Sequence, residues 1–371
     1  MLSTTSMANL AETLGKELET LDAEYARDFA GQSRLTRDMD QIDRIIKKVQ
    51  SMQDRIDQIP VAARGADLER LRTSVVENLK LYSTERSAIE RAQAVGPAFE
   101  LFSNESQNAN FVFGRYIRHF AGKDRTTRDL ALLGEMVEEL KQIEKRMIGL
   151  LKEQRANDFE RDLGVVRQNM TQYQEEIKLI EEAQKMGTPE EQAGLLATLA
   201  NEQFKIYQVH FAGESRISRR PALLMRVIAT LKKVQARMES LKAGGLTVDY
   251  NDKNIGIVTD RMGVYETELG EIRKVRQATP MVEIMGELGG AANKLFEEYR
   301  KNYADKARSS ADPERLGNIC DKLSEVRRQM TDMSFAEEND TNMKNLDIVT
   351  EQLAMFENEY ELVLKAQPAN K

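Results

Sequence analysis

The chain has 371 residues, of which 31% are charged, 41% hydrophobic and 6% aromatic, with no Trp, 7 Pro and a single cysteine, Cys320. Its formal net charge of −7 argues against nucleic-acid recognition by phosphate neutralisation, and one cysteine excludes a disulfide within the chain. No run approaches the ~18 apolar residues of a membrane-spanning helix, and the first residues combine neither a basic nor an apolar signal segment, so a cytoplasmic protein is expected.

The first predicted helix, A, carries the apolar stripe Leu10, Leu14, Leu18, Leu21, Tyr25 and Phe29, at the spacing that keeps one face of a helix buried. It runs into Tyr25-Ala-Arg-Asp-Phe29-Ala-Gly31, where glycine supplies a left-handed helix end. A short loop with Arg34 and Arg37 follows, and Thr36 is placed to cap helix B, with Asp38 in its first turn. Helix B is expected to bury Ile42, Ile45, Ile46, Val49, Met52 and Ile56, and helix C is centred on Tyr82.

This sequence then repeats. The Tyr-x-x-x-Phe/Tyr motif returns at Tyr116, Tyr207 and Tyr299, at intervals of 91, 91 and 92 residues, and Tyr173, Tyr265 and Phe356 follow Tyr82 as centres of helix C. Gly122 and Gly213 repeat Gly31, whereas Asp305 takes the position in the last copy. Thr127, Ser218 and Ser310 repeat the hydroxyl; Pro221 and Pro313 fall where helix B begins. Thr188-Pro189 and Thr279-Pro280 read as an N-cap followed by a first helical residue.

Self-similarity at a fixed period marks stacked supersecondary units. The expected fold is therefore all-α: four tandem three-helix A-B-C repeats of about 91 residues with coiled-coil-type packing, at 1–95, 96–187, 188–278 and 279–371, the last with a degenerate loop. In general plan this resembles a spectrin-type repeat, with shorter units and Pro- and Gly-bearing junctions. The likeness concerns architecture and implies no function. Phe111, Val112 and Phe113 suggest contact between units.

One constellation invites a chemical reading, the Gly-x-x-Arg-x-Ser/Thr-Arg loop. Paired guanidiniums beside the free N–H groups of a helix start suit a phosphate or carboxylate. The residues are Arg34 with Arg37, Arg125 with Arg128, Arg216 with Arg219 and Arg220, and the solitary Arg308, whose partner position is Ala311. The structural alternative has each Arg bonding the end of helix A or clamping an acidic group of the adjacent unit. It is favoured because the motif recurs in units with different neighbours.

No catalytic residue, cofactor or metal site is expected. His119 and His210 share one register position, facing the negative end of a helix, while Cys320 replaces aliphatic core residues. Asp249-Tyr-Asn-Asp-Lys253-Asn254 opens like a calcium loop but lacks its glycine, and reads as a polar loop. The chain is thus expected to be a non-catalytic scaffold, spacer or self-assembling element, with protein partners or self-association, no nucleic acid and no transmembrane segment. Peripheral membrane contact finds no support in the sequence. The second reading is an anion-recognition module, for a phospholipid headgroup or phosphopeptide, built on the arginine loops.

Overall fold

The structure is a computed structural model and describes residues 4–29, 32–153, 157–246, 249–304, 306–334 and 340–367. Gly31 and Asp305 lie outside the described residues. The protein is all-α, with twelve α-helices and no strand among the described residues. They are α1 (Thr4–Asp28), α2 (Met39–Asp57), α3 (Ala66–Val95), α4 (Pro97–His119), α5 (Leu130–Glu153), α6 (Asn157–Ala183), α7 (Pro189–His210), α8 (Pro221–Ala243), α9 (Asp249–Ala278), α10 (Met281–Asn302), α11 (Pro313–Ser334) and α12 (Asp340–Ala366).

Two compact units form, Met1–Asn104 and Glu105–Lys371. In the first, the apolar stripes of α1, α2 and α3 share one core containing Leu14, Leu18, Ile45, Val49, Val75 and Tyr82. Within the second, α5 packs on α6, while two further cores form. One joins α7, α8 and α9 through Leu196, Leu231, Val234, Met262 and Tyr265. The other joins α10, α11 and α12 through Leu288, Ile319, Leu323, Leu353 and Phe356, and takes in Phe111 from α4. Cys320 is buried in that core, which pushes its thiol up and keeps it protonated.

An aromatic stack closes each core at the end of the motif helix. Tyr25 stacks on Phe29 at 5.4 Å between ring centroids, Tyr116 on Phe120 at 5.4 Å, Tyr207 on Phe211 at 5.4 Å and Tyr299 on Tyr303 at 5.8 Å. The first ring of each pair also meets Tyr82, Tyr173, Tyr265 or Phe356, at 4.8, 4.4, 4.0 and 4.0 Å. Such contacts add to the area that the rings remove from water.

The loop after the motif differs in detail from its sequence expectation. Thr36, Thr127, Ser218 and Ser310 do not cap the next helix. Their hydroxyls donate instead to the carbonyls of Ser33, Asp124, Ser215 and Ala307, three residues back, and tighten the loop. The caps are Asp38, Asp129 and Asp312, each of whose carboxylates accepts from two backbone N–H groups of the following turn. A carboxylate reaches those donors and also meets the positive helix end, so it displaces the hydroxyl two residues earlier. At α8 the cap position is Arg220, whose side chain makes no capping bond, and Pro221 opens the helix.

Thr188-Pro189 forms a full capping box with Glu191, as its sequence suggests. Thr279 departs from that pattern: its hydroxyl donates back to the Val275 carbonyl, and Pro280 becomes the cap of α10. Asp249–Asn254 is not a loop but the first turns of α9, where buried Asn251 donates to the Met238 carbonyl.

Gly122 and Gly213 take φ of 71° and 77°, the left-handed region that the helix end requires. Replacing Gly213 with Ala is expected to cost about 1–2 kcal/mol. By contrast, Gly149 lies within α5, about one turn before its end, with open space around its Cβ direction, so Gly149→Ala is expected to gain up to about 1 kcal/mol. Urea denaturation followed by circular dichroism distinguishes the two; equal effects would contradict the assignment of Gly213 as a helix terminator.

Candidate functional site

The loop arginines converge on one glutamate of their own sequence copy. Arg34 donates through Nε and Nη2 to the two carboxylate oxygens of Glu85 at 2.8 and 2.9 Å, and Arg37 reaches the same carboxylate. Arg125 grips Glu176 at 2.9 and 3.1 Å, with Arg128 adding a further bond. Arg216 grips Glu268 at 3.0 and 2.8 Å, again with Arg219 beside it. Arg308 alone holds Glu359 at 2.8 and 2.7 Å. The acceptor sits on the third helix of the same copy, not on the adjacent one.

The rest of the loop is tied by the same groups. Arg37 donates from Nε and Nη2 to the Gln32 carbonyl, as Arg128 does to that of Lys123. One helical stretch beyond each glutamate, Gln93, Gln184, Arg276 and Gln367 donate to the carbonyls of Arg37, Arg128, Arg219 and Ala311 at 2.8, 2.9, 3.2 and 3.1 Å. A bidentate guanidinium with a second one alongside supplies a largely buried carboxylate with the hydrogen bonds it needs. Glu268 is accordingly held below the usual carboxylate range, chiefly by its hydrogen bond from Arg216.

A second arrangement, marked by no local pattern of residues, lies inside the unit Glu105–Lys371. Arg118 of α4 donates to Asp321 of α11 at 2.8 Å and to Glu357 of α12 at 3.0 Å. Glu135 of α5 accepts from Arg220 at 3.4 Å and Arg226 at 3.1 Å, both near the start of α8, and from Arg328 of α11. Glu325, one turn along α11 from Asp321, takes Arg220 at 3.0 Å. Arg327 reaches Asn108 and lies 4.5 Å over the ring of Phe111. Gly114 makes room on α4: a Cβ there would stand 2.5 Å from the Glu357 carboxylate.

Both histidines point to this junction. His119 Nε2 lies 3.0 Å from Asp321 Oδ2. His210, at the corresponding end of α7, faces Glu325 and Asp321 together with the cations Lys322 and Arg226, and burial pushes its imidazole down from the ordinary value. Burial opposes ionisation of Asp321 and Glu325 too. There the neighbouring His119 and Arg118 for Asp321, and Arg220 and Arg328 for Glu325, outweigh it and hold both carboxyls well below the usual range. Glu135 is likewise brought to about 2 by Arg328 and Arg226, against burial. Glu357 goes the other way, because burial there exceeds the help from Arg118.

Beside this junction, the end of α7, the start of α8, α10 and α11 enclose a cleft of about 260 Å³. Its walls include His210, Arg219, Arg220, Lys294 and Lys322. Among the described residues, no group of three or more His, Cys, Asp or Glu side chains is arranged to hold a metal ion, and no helix is long and apolar enough to cross a membrane. No protein-family model, curated protein or solved structure matches the chain.

The junction makes stability depend on pH in two stages. A folded His210 resists a proton that the unfolded chain accepts near pH 6.5, so stability falls as pH drops through about that value. Asp321, Glu325 and Glu135 stay ionised in the fold where the unfolded chain protonates them, so a second loss begins below about pH 4.5. The raised value of Glu357 offsets part of that second loss. Urea midpoints measured from pH 7 to 3 check this, and His210→Gln is expected to remove the first stage and retain the second. A wild-type midpoint that is flat between pH 7 and 5 would contradict it.

Proposed function

We propose that the chain is a non-catalytic cytoplasmic scaffold of four tandem three-helix repeats, spectrin-like in general plan, that presents equivalent surfaces at fixed offsets to protein partners or to further copies of itself. The observation that carries this reading is the recurrence of the arginine–glutamate clamp. Arg34–Glu85, Arg125–Glu176 and Arg308–Glu359 are each 51 residues apart and Arg216–Glu268 is 52 apart. A motif with the same internal partner at every occurrence serves to build equal modules, and repeated modules suit polymers and multivalent binding.

The alternative, that the loops as a set recognise phospholipid headgroups or phosphopeptides, is less well supported. An external anion would have to displace Glu85, Glu176, Glu268 or Glu359 from two guanidiniums, or from one in the last copy. Each of these carboxylates is itself largely buried and already holds its guanidinium in a two-bond grip, so the internal carboxylate is a strong competitor.

Sedimentation velocity over a range of concentration and salt, with electron microscopy of the same samples, tests the scaffold reading. Concentration-dependent oligomers, filaments or shells are the expected outcome. A strict monomer under all conditions, with no protein partner, would remove its support.

A further inference from the structure

In the unit Met1–Asn104 the first arginine loop binds a second carboxylate on its outer side. Ser33 Oγ and the Arg34 backbone N–H donate to the two oxygens of Glu100, each at 2.8 Å. Glu100 lies in the first turn of α4, and Phe99 beside it is only 9% exposed. The Ser33 hydroxyl oxygen also accepts from the Leu35 N–H at 3.2 Å, while Thr36 closes the turn onto the Ser33 carbonyl. A hydroxyl and an N–H aimed at one carboxylate make two charge-assisted hydrogen bonds.

The third loop repeats that turn, yet no carboxylate of the described residues meets its two donors. Ser215 Oγ accepts from the Ile217 N–H at 3.3 Å, and Ser218 donates to the Ser215 carbonyl at 3.0 Å. Arg216 grips Glu268 as Arg34 grips Glu85. Ser215 and Arg216 are exposed, and neither the Ser215 hydroxyl nor the Arg216 backbone N–H donates a hydrogen bond among the described residues. The other two loops lack the pair, because Asp124 and Ala307 stand in place of the serine. Glu214 and Glu271, which stand where the first copy has Gln32 and Ala88, face cations: Lys322 at 3.0 Å and Arg216 at 4.0 Å.

The complementary group recurs as well. Glu100 returns as Glu191 and Glu283, at intervals of 91 and 92 residues, and Phe99 returns as Glu190 and Val282. Glu191 is engaged in its own capping box with Thr188. Glu283, in the first turn of α10, is exposed, and its carboxylate makes no hydrogen bond or ion pair among the described residues. Val282 beside it is 75% exposed, at the register where α4 has the nearly buried Phe99. Both halves of the Glu100 contact are thus present a second time, and the chain does not join them.

We propose that two copies of this chain meet through these halves: Glu283 of one copy binds Ser215 and Arg216 of the other, and Val282 is covered as Phe99 is. The contact rests on the self-association of the scaffold reading and gives it a defined surface.

Sedimentation equilibrium of the full chain over a range of concentration tests it. Glu283→Ala and Ser215→Ala are each expected to weaken self-association about tenfold, and the double variant no further, because both remove one contact. Both side chains are exposed, so the melting temperature is expected to stay unchanged. Val282→Phe, which copies Phe99, is expected to strengthen association about threefold. Wild-type association in both Glu283→Ala and Ser215→Ala would overturn the contact and leave the scaffold reading standing. A wild-type chain that is monomeric at every concentration would overturn the contact and self-association together.

Discussion

A carboxylate held by guanidiniums from its own loop is the constraint on which each sequence copy depends. Glu85, Glu176, Glu268 and Glu359 each sit on the third helix of a copy, and the arginines that hold them leave the loop between the first and second. One ion pair thus fixes three things: where the first helix stops, how the loop turns, and the register of the third helix. The aromatic stack lies close to it in sequence, with Tyr116 nine residues before Arg125 and Tyr173 three residues before Glu176. Apolar stripes alone allow helices to slide by a turn; a bidentate pair does not. The value of such a buried pair lies in specifying one arrangement more than in net free energy.

Differences between copies carry the other half of the structure. Glu135 and Arg226 occupy equivalent positions in consecutive copies, 91 residues apart, and pair with each other at 3.1 Å. Opposite charges at one register position let α5 meet α8 where identical residues would repel. Asp321 and Glu325 correspond to Glu138 and Gln142 in one copy and to Ala229 and Lys233 in another. They are acidic where α11 must face Arg118, Arg220 and the two histidines. Residues that recur at a fixed interval therefore account for the clamp, and residues that do not recur account for how α4, α5, α8, α11 and α12 lock together in the unit Glu105–Lys371.

Much of this was legible in the sequence, for definite reasons. Helix content and the apolar stripes follow from periodicity, and the residues of the arginine loops follow from repetition. The glutamates were equally available, since Glu85, Glu176, Glu268 and Glu359 recur at intervals of 91, 92 and 91. They were hidden among 61 acidic residues, and only their repetition distinguishes them. The junction was not legible: Arg115, Arg118 and Arg327 are charged residues on helices, and nothing local marks them as 4%, 8% and 8% exposed. Long-range pairs such as Arg118–Glu357, separated by 239 residues, leave no trace in a local pattern. The helix caps were misplaced by two residues because a hydroxyl and a carboxylate compete for the same donors, and the choice turns on loop geometry.

The loop arginines act as internal clamps, and a double-mutant cycle between Arg128 and Glu176 tests this most directly. Arg128→Ala, Glu176→Gln and the double variant are compared by urea denaturation. The clamp predicts a coupling energy of about 1–3 kcal/mol, as expected for groups in one ion-pair network. Effects that add to within about 0.5 kcal/mol would show that the two residues act independently, and would contradict the account.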